Sequence, residues 1–253
     1  MPKTAAYAVP ALDKGLDVLE ALSAATVPQS LGELAAALNR SSSELFRMLN
    51  CVERRGYVAR EPVGGRYTLT LRLFALAHAH SPVDQLLRAA LVPMRRLVER
   101  TGESCHLGVL QQGRLLVIAQ EESPRPVRIS VAVGASFDAV ETASGRLLLA
   151  HLADLARAAA LARSPAWQRA SARARAALEK ELASIVRCGL SLAIDETHQG
   201  VRDASALVGR PGVVTAALAL PVLEPARGGP PKAELHAALR ATAAEITAQL
   251  GLS

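Results

Sequence analysis

The sequence is short of aromatic residues, cysteine and long apolar runs, and each shortage narrows the class of protein. Aromatic residues make up 3% of the 253 residues although 50% are hydrophobic, so we expect a core of Leu, Val and Ala. The three cysteines are scattered, with no CxxC motif, which argues against a zinc site and is typical of a reducing compartment. The apolar runs are too short to cross a membrane, and the first residues lack the apolar segment of a signal peptide. We therefore expect a cytoplasmic protein with no metal and no cofactor.

Motifs of the common enzyme classes are also lacking. The sequence has no GxSxG, no Walker loop, no HExxH and no dinucleotide-binding glycine fingerprint. Cys105 and His106 are a nucleophile and a base that adjoin in the sequence. They fall in a predicted strand, where neighbouring side chains point to opposite faces and cannot act together. We do not expect an enzyme.

Helix-start signals occur twice near the amino terminus. A first helix is predicted over residues 11–24 from its leucine spacing. Ser30 and Glu33 then have the spacing of a capping box, in which a hydroxyl and a carboxylate both accept from free backbone N–H groups at a helix start. Ser41 and Glu44 repeat that spacing, so a third helix is predicted to begin there.

A hairpin follows these helices. The third helix is predicted to end at Gly56, and the apolar pattern of residues 57–71 predicts two strands with Gly64 and Gly65 at their turn. Two short helices joined by a tight turn and followed by a hairpin form a winged helix-turn-helix. Residues 41–54 occupy its recognition-helix position.

The rest of the chain predicts a larger domain of mixed helices and strands. In chain order we predict a helix, three strands, a helical region, three strands and a helix, at residues 83–101, 104–110, 115–122, 127–133, 142–187, 189–194, 203–209, 213–223 and 232–250. Antiparallel hairpins flanked by helices indicate an α/β (α+β) fold. We divide the chain into a winged helix-turn-helix over residues 1–70, a linker helix over 71–82 and an α/β domain over 83–253.

Positive charge concentrates in the winged helix-turn-helix. The chain carries a formal charge of +6, and seven arginines stand against three glutamates between Arg40 and Arg72. Hydroxyls and free N–H groups at a helix start can hold a DNA phosphate, and an arginine one turn later can reach guanine or a phosphate. We therefore predict DNA contacts from the recognition helix and the wing, at Ser42, Ser43, Glu44, Arg47, Arg40, Arg60 and Arg66.

These residues also have structural explanations. A cap accounts fully for Ser41 and Glu44, and phosphate repels a carboxylate unless the carboxylate accepts from cytosine N4. If no helix-turn-helix surrounded it, Arg47 would be interpreted as an ordinary solvated arginine. The helix-turn-helix favours DNA contact for Arg47, whereas capping is the preferred role of Glu44.

Several segments in order resemble the IclR family of bacterial transcriptional regulators. They are PALDKGLDVLEAL, LGELAAALNRSSSELFRMLNCVERRGYV, RYTLTLRLFALA, ETASGRLLLAHL and CGLSLAIDETHQGVRDASALV. The resemblance covers residues 9–250. It implies an N-terminal domain that binds operator DNA as a dimer, a linker helix that dimerises, and a GAF-like C-terminal domain that binds a small effector and forms tetramers. Effectors in the family include small carboxylates and aromatic acids.

The resemblance also suggests where an effector binds. The family's Thr-Ala-x-Gly loop corresponds to residues 142–145, although Arg146 replaces its lysine, and free N–H groups at a helix start suit an anion. Serines of some members become Ala219 and Pro221 here, and Ala193 replaces an acid. The predicted effector residues are Thr142, Ala143, Ser144, Gly145, Val201, Asp203, Ala219 and Pro221.

Three hypotheses about function remain open from the sequence. In the first hypothesis, the chain is a DNA-binding transcriptional regulator controlled by a small-molecule effector, a carboxylate or an aromatic metabolite. The changed pocket residues point to a ligand that is bulkier and less polar than those of other members. Alternatively, the C-terminal domain binds no ligand and only oligomerises. In the third hypothesis, the winged helix contacts protein, and the chain is an orphan enzyme or a ligand-binding module. Capping by Thr142 and close packing at Gly145 are structural alternatives for the loop.

Overall fold

A computed structural model describes residues 9–78, 82–194, 199–223 and 231–252, and the chain forms two compact units, residues 1–81 and 82–253. The N-terminal unit consists of α1 (Pro10–Ala24), α2 (Leu31–Ala37), α3 (Ser42–Arg54), β1 (Val58–Arg60), β2 (Tyr67–Leu69) and α4 (Arg72–His78). Strands β1 and β2 pair antiparallel as the predicted hairpin. The order of a winged helix-turn-helix is therefore confirmed.

Both predicted helix starts are capped, in different ways. Ser30 and Glu33 form the complete box, because the hydroxyl accepts from Glu33 N–H at 3.2 Å and the carboxylate accepts from Ser30 N–H at 2.7 Å. At α3 the Ser41 hydroxyl accepts from Glu44 N–H at 3.4 Å. The Glu44 carboxylate bonds instead to the Lys14 ammonium at 2.7 Å, so this side chain ties α3 to α1.

The N-terminal unit has a small core of its own. Leu34 of α2, Leu45 and Leu49 of α3, Val18 of α1 and Tyr67 of β2 are all almost fully buried. The spacing of Leu45 and Leu49 places them on one face of α3, because side chains four positions apart lie above one another on a helix. The opposite face of α3 is left in solvent.

The C-terminal unit surrounds one antiparallel sheet. Its elements are α5 (Pro82–Thr101), β3 (Cys105–Gln111), β4 (Arg114–Glu121), β5 (Ser136–Asp138), a 3-10 turn (Ala139–Glu141), α6 (Ala143–Ala150), α7 (Asp154–Ala162), α8 (Pro165–Arg169), α9 (Ala172–Cys188), β6 (Ser191–Ile194), β7 (Val201–Arg210), β8 (Val214–Leu223) and α10 (Lys232–Gln249). The six strands lie in the order β5-β4-β3-β8-β7-β6.

Helices cover both faces of this sheet. Leu107, Leu218 and Val208 pack with α5 and α10 on the first face. Leu115 and Ala217 pack with α6 and α9 on the second. Side chains that alternate along each strand therefore enter two separate cores, as expected for a sheet between helical layers.

One strand prediction is wrong. Residues 127–133 do not form a strand, and the strand that pairs with β4 in this region is β5. Val127 and Val133 are exposed, so the alternating apolar residues of this segment do not pack into a core. The Gln120 side chain holds this segment instead, by donating to the Ser130 hydroxyl and accepting from Val131 N–H.

The helices were also compared with the length and hydropathy of membrane-spanning segments. Among the described residues, no helix combines the length and the apolar character that crossing a membrane requires.

Candidate DNA-binding and effector-binding sites

The outward face of α3 carries the predicted recognition residues. Ser42, Ser43 and Arg47 are all exposed. Within the described part of the chain, Arg47 makes no ion pair and no hydrogen bond. Its guanidinium is therefore available to a phosphate or to a guanine edge.

The other predicted arginines already have partners inside the N-terminal unit. Arg66 donates to the Glu33 carboxylate at 2.8 Å and 3.3 Å and to the Pro28 carbonyl at 2.9 Å, which joins the wing to α2. Arg40 donates to Asp17 at 3.0 Å. Arg60 donates to the Gly65 carbonyl at 3.3 Å and lies over the Tyr67 ring. These three arginines hold the fold together, whatever else they contact.

Glu44 is turned away from the outward face of α3. Hydrogen bonds from Lys14 and then from Ser41 lower the pKa of its carboxyl group. A carboxylate held in an ion pair is a poor acceptor for a cytosine amine. The structure thus favours the structural role that the sequence suggested for Glu44.

Two further residues belong to the outward face of α3. Phe46 is 43% exposed although it is aromatic, and Asn50 is exposed one turn later. An exposed phenyl group can contact a thymine methyl, and an asparagine amide can bond adenine at two atoms. Phe46 and Asn50 were not among the residues predicted from the sequence, although the helical positions of Ser42, Phe46 and Asn50 place all three on the polar side of α3.

Strand register brings together the effector residues predicted on β7 and β8. Asp203 lies opposite Pro221, and Val201 lies opposite Leu223. Ala219 pairs with Ser205, whose hydroxyl lies 2.9 Å from the hydroxyl of Ser144 in the first turn of α6. Because side chains alternate, Val201, Asp203, Ala219 and Pro221 share the sheet face that α6 covers.

The loop before α6 is engaged in local structure. The Thr142 hydroxyl accepts from Gly145 N–H at 3.1 Å, which is a helix cap. A Cβ atom on Gly145 would lie 2.3 Å from the Ala139 carbonyl oxygen. Ala143 and Ser144 are buried. Capping and close packing therefore account for Thr142 and Gly145, and Ser144 points to the sheet.

A row of four aligned residues, three of them polar, crosses the sheet beneath Ser144. Register aligns His106 of β3, Ala219 of β8, Ser205 of β7 and Ser191 of β6. All four are buried, and burial lowers the pKa of His106 to about 4, so its imidazole is neutral near pH 7. We call these four residues the polar row. His106, Ser191 and Ser205 were not predicted from the sequence, because only strand pairing brings them into one row.

Cys105 and His106 are separated as predicted. Cys105 is packed in the core shared with α5, where burial raises the pKa of its thiol to about 12. His106 lies on the opposite face of the sheet. The two side chains do not form a nucleophile and base pair.

A groove opens on the face of the sheet opposite α6. It has a volume of about 190 Å³ and lies between β6, β7, β8 and the start of α10. Its walls include Leu192, Ile194, Leu220 and Val222, with the Glu103–Arg125 ion pair at the rim. Residues 142–145 do not border this groove. Asp203 does, together with Ala193, its partner on β6, although strand alternation assigns its side chain to the face that α6 covers.

Comparisons with known proteins agree with this geometry. The family model described as the IclR helix-turn-helix domain matches residues 11–62, and the model of the C-terminal domain of the bacterial transcriptional regulator IclR matches residues 80–248. A glycerol operon regulatory protein of Streptomyces griseus is 28% identical over 247 residues, which cover 96% of this chain and 97% of that protein. The regulator KdgR of Escherichia coli is 37% identical over 119 residues, 47% of this chain and 45% of KdgR.

Solved structures share the fold. An IclR homolog from Microbacterium hydrocarbonoxydans, complexed with 4-hydroxybenzoate, superposes with a TM-score of 0.78 at 24% identity and covers 96% of this chain and 100% of its own. A transcriptional regulator from Rhodococcus has a TM-score of 0.74 at 24% identity, with 96% and 99% coverage. The relatives are regulators, which confirms the expectation that the chain is not an enzyme. The chain belongs to the IclR family of bacterial transcriptional regulators.

Proposed function

We propose that the outward face of α3 reads operator DNA, with Arg47 as its principal contact. The observation that carries this proposal is an exposed arginine, without a partner among the residues that the structure describes, on the recognition helix of a winged helix-turn-helix. Ser42 and Ser43 position the helix on phosphates, and Phe46 and Asn50 contact base edges. Arg60 and Arg66 on the wing, and Arg40, contribute charge near the backbone while they keep their internal bonds.

DNA binding, dimer linkage and effector binding are proposed for separate segments of the chain. Residues 1–70 form the DNA-binding domain, residues 71–82 the linker helix, and residues 83–253 the domain for effector binding and oligomerisation. This assignment agrees with two compact units that divide near residue 81. Action on chromosomal DNA requires that the protein works in the cytoplasm.

A homodimer is the proposed form on DNA. Apolar side chains are exposed on two helices of the N-terminal unit: Leu12, Leu16, Leu73, Phe74 and Leu76. The linker helix α4 contributes three of these residues, and clustered apolar side chains left in solvent on one helix are typical of an interface between proteins. A two-fold dimer would bind an inverted repeat whose half-sites lie about one helical turn apart. Association of dimers into tetramers through the C-terminal domain completes the proposed assembly.

The sheet face beneath α6 is the proposed effector site. It combines the predicted residues of β7 and β8 with Ser144 and the polar row. The structural neighbour from Microbacterium hydrocarbonoxydans is complexed with 4-hydroxybenzoate, which supports a ligand of that size, and the Streptomyces griseus relative is a glycerol operon regulatory protein. Ligand binding changes the affinity for the operator if the ligand has different affinities for two conformations of the protein.

The proposal is tested by selecting genomic fragments with the full-length protein at near-physiological salt. We expect enrichment of one or a few upstream regions that share an inverted repeat. The matched control is Arg47→Ala, which should reduce enrichment of those regions and leave weak, salt-sensitive binding to all DNA. Equal, weak recovery of all fragments by both proteins would contradict sequence-specific reading by α3.

A further inference from the structure

The groove between the sheet and α10 has an apolar floor that extends to the edge strand β6. Leu192, Ala204 and Leu220 line it and form one row, because Leu192 pairs with Ala204 and Ala204 pairs with Leu220. Ile194 and Val222 line it in the next row, on either side of Arg202. Leu192 and Ile194 are 48% and 52% exposed, so the groove presents aliphatic surface to water. Covering such surface with an apolar molecule is favourable.

The volume of the groove limits the size of that molecule. It is about 190 Å³. An engineered cavity of about 150 Å³ lined by aliphatic and aromatic side chains binds benzene, whereas drug-sized ligands occupy pockets of roughly 300–1,000 Å³. The groove therefore has room for one six-membered ring and little more.

One polar side chain of the groove has no hydrogen bond. His236 lies in the second turn of α10, lines the groove and bonds to no group among the residues that the structure describes. Burial, followed by the charges of Arg240 and Lys232, lowers the pKa of His236 below its ordinary value, so the imidazole is neutral near pH 7. A neutral imidazole has one donor and one acceptor nitrogen, and it therefore matches a hydroxyl group, which both donates and accepts.

The charges around the groove disfavour a charged ligand. Side chains of both signs border it, since Arg125, Arg202 and Lys232 are cationic and Glu103 and Asp203 are anionic. Glu103 is 8% exposed, and burial raises the pKa of its carboxyl group although Arg125 is ion-paired with it. A ligand carboxylate would bring another anion to this poorly hydrated one, and a ligand ammonium would lie near cations. An uncharged ligand avoids both costs.

We propose that this groove binds an uncharged six-membered ring that carries one hydroxyl group, either a phenol or a cyclic alcohol. The ring lies against Leu192, Ile194 and Leu220, and the hydroxyl group bonds to the imidazole of His236. This site is on the opposite face of the sheet from the effector site proposed beneath α6. It is therefore a second ligand site, which goes beyond the proposed function.

Small ring compounds test the proposal on the full-length protein. NMR titration follows the methyl signals of Ile194 and the imidazole signals of His236, because these groups would contact the ligand. Phenol and toluene are matched in size, and benzoate introduces a carboxylate. We expect saturable shifts with phenol, roughly fivefold weaker binding of toluene and at least about tenfold weaker binding of benzoate. Comparison of phenol with cyclohexanol distinguishes a phenol from a cyclic alcohol.

Substitutions locate the binding. Ile194→Ser removes apolar area at a half-exposed position, so it should keep the fold and weaken phenol binding by roughly three- to tenfold, measured on the signals of His236. The matched control is Val186→Ser, because Val186 on α9 is 53% exposed and does not border the groove. His236→Leu should lower the affinity for phenol to that for toluene, measured on the signals of Ile194. Ala204→Leu should fill the groove and abolish binding.

Three results would overturn the inference. Benzoate that binds as tightly as phenol and is weakened by Ile194→Ser would overturn the ligand class. Equal affinities of phenol and toluene for the wild type would overturn recognition of the hydroxyl group by His236. Absence of saturable shifts with phenol and cyclohexanol, or affinities that Ile194→Ser and His236→Leu leave unchanged, would overturn the groove as a ligand site. These two variants decide the question even if Ala204→Leu does not fold.

Discussion

The outward face of α3 and the polar row of the sheet both present polar groups that have no partner in the described part of the chain, but one is in water and the other in a core. Arg47 is exposed, so the lack of a partner costs it nothing, and only the helix-turn-helix around it gives the observation meaning. His106 and Ser191 are buried, so the lack of a partner is itself costly. The same geometric finding is therefore weak evidence on a surface and strong evidence in an interior.

The largest expected effect tests whether the N-terminal and C-terminal units fold independently of each other. Leu45→Asp places a carboxylate in the small core of the N-terminal unit, where Leu45 is fully buried. We expect a cost of roughly 4 kcal/mol or more, which unfolds this unit and abolishes operator binding while the C-terminal unit keeps its own unfolding transition. Thermal unfolding followed by circular dichroism, together with DNA binding, measures both effects.

Phe46→Asp is the matched control, because it adds the same charge to the exposed side of the same helix. It should change the free energy of unfolding by no more than about 0.5 kcal/mol and still weaken DNA binding. Loss of both units in Leu45→Asp would show that they unfold as one.

The second prediction concerns the loop that begins α6. Gly145→Ala brings a Cβ atom to 2.3 Å from the Ala139 carbonyl oxygen, and a backbone atom cannot turn aside as a side chain can. We expect a loss of about 3 kcal/mol from the C-terminal unit, measured by denaturant titration. Gly15→Ala in α1 has no atom within 4 Å of its new Cβ and should instead stabilise the N-terminal unit by roughly 0.5–1 kcal/mol. Equal stability of Gly145→Ala and wild type would remove the packing explanation.

The fold followed from the sequence wherever a local rule decided the structure. Apolar spacing and the cap at Ser30 predicted the helices of the winged helix-turn-helix, because these signals act within one or two turns. The segment 127–133 misled the prediction, since an alternating pattern does not reveal whether a core faces it. Its valines remain in solvent, and the Gln120 side chain holds the segment.

The site was less accessible to sequence reasoning. Resemblance to the family suggested Ser144 and Ala219, but no spacing along the chain links His106 to Ser191. They share a row because β3, β8, β7 and β6 are neighbours in the sheet, and that order is a tertiary property. Similarly, the sequence could not separate Arg47 from Arg66, because an ion pair between the wing and α2 depends on the folded arrangement.

The third prediction concerns how the free energy of unfolding depends on pH through the buried imidazole of His106. The pKa of His106 falls from 6.5 to about 4 in the folded protein through burial, so the unfolded chain binds the proton more readily. Its contribution to stability is therefore complete above pH 6.5 and is lost as the pH falls toward 4, by up to about 3 kcal/mol. His106→Gln should flatten the pH dependence of the free energy of unfolding in this interval. Parallel curves for the variant and the wild type would contradict a buried, neutral imidazole.

The smallest expected effect separates an arginine that reads DNA from one that holds the fold. Arg47→Ala should weaken binding to the selected operator by roughly 1–3 kcal/mol and leave the free energy of unfolding unchanged, because Arg47 has no partner within the described residues. Arg66→Ala removes the bonds to Glu33 and Pro28, so it should lower the stability of the N-terminal unit, by at most about 1 kcal/mol for a pair this exposed. Binding curves on operator and on random DNA, at several salt concentrations, complete the test. A loss for Arg47→Ala that is equal on both DNAs, with a salt slope reduced by about one, would reassign Arg47 to a phosphate and leave base reading to Phe46 and Asn50.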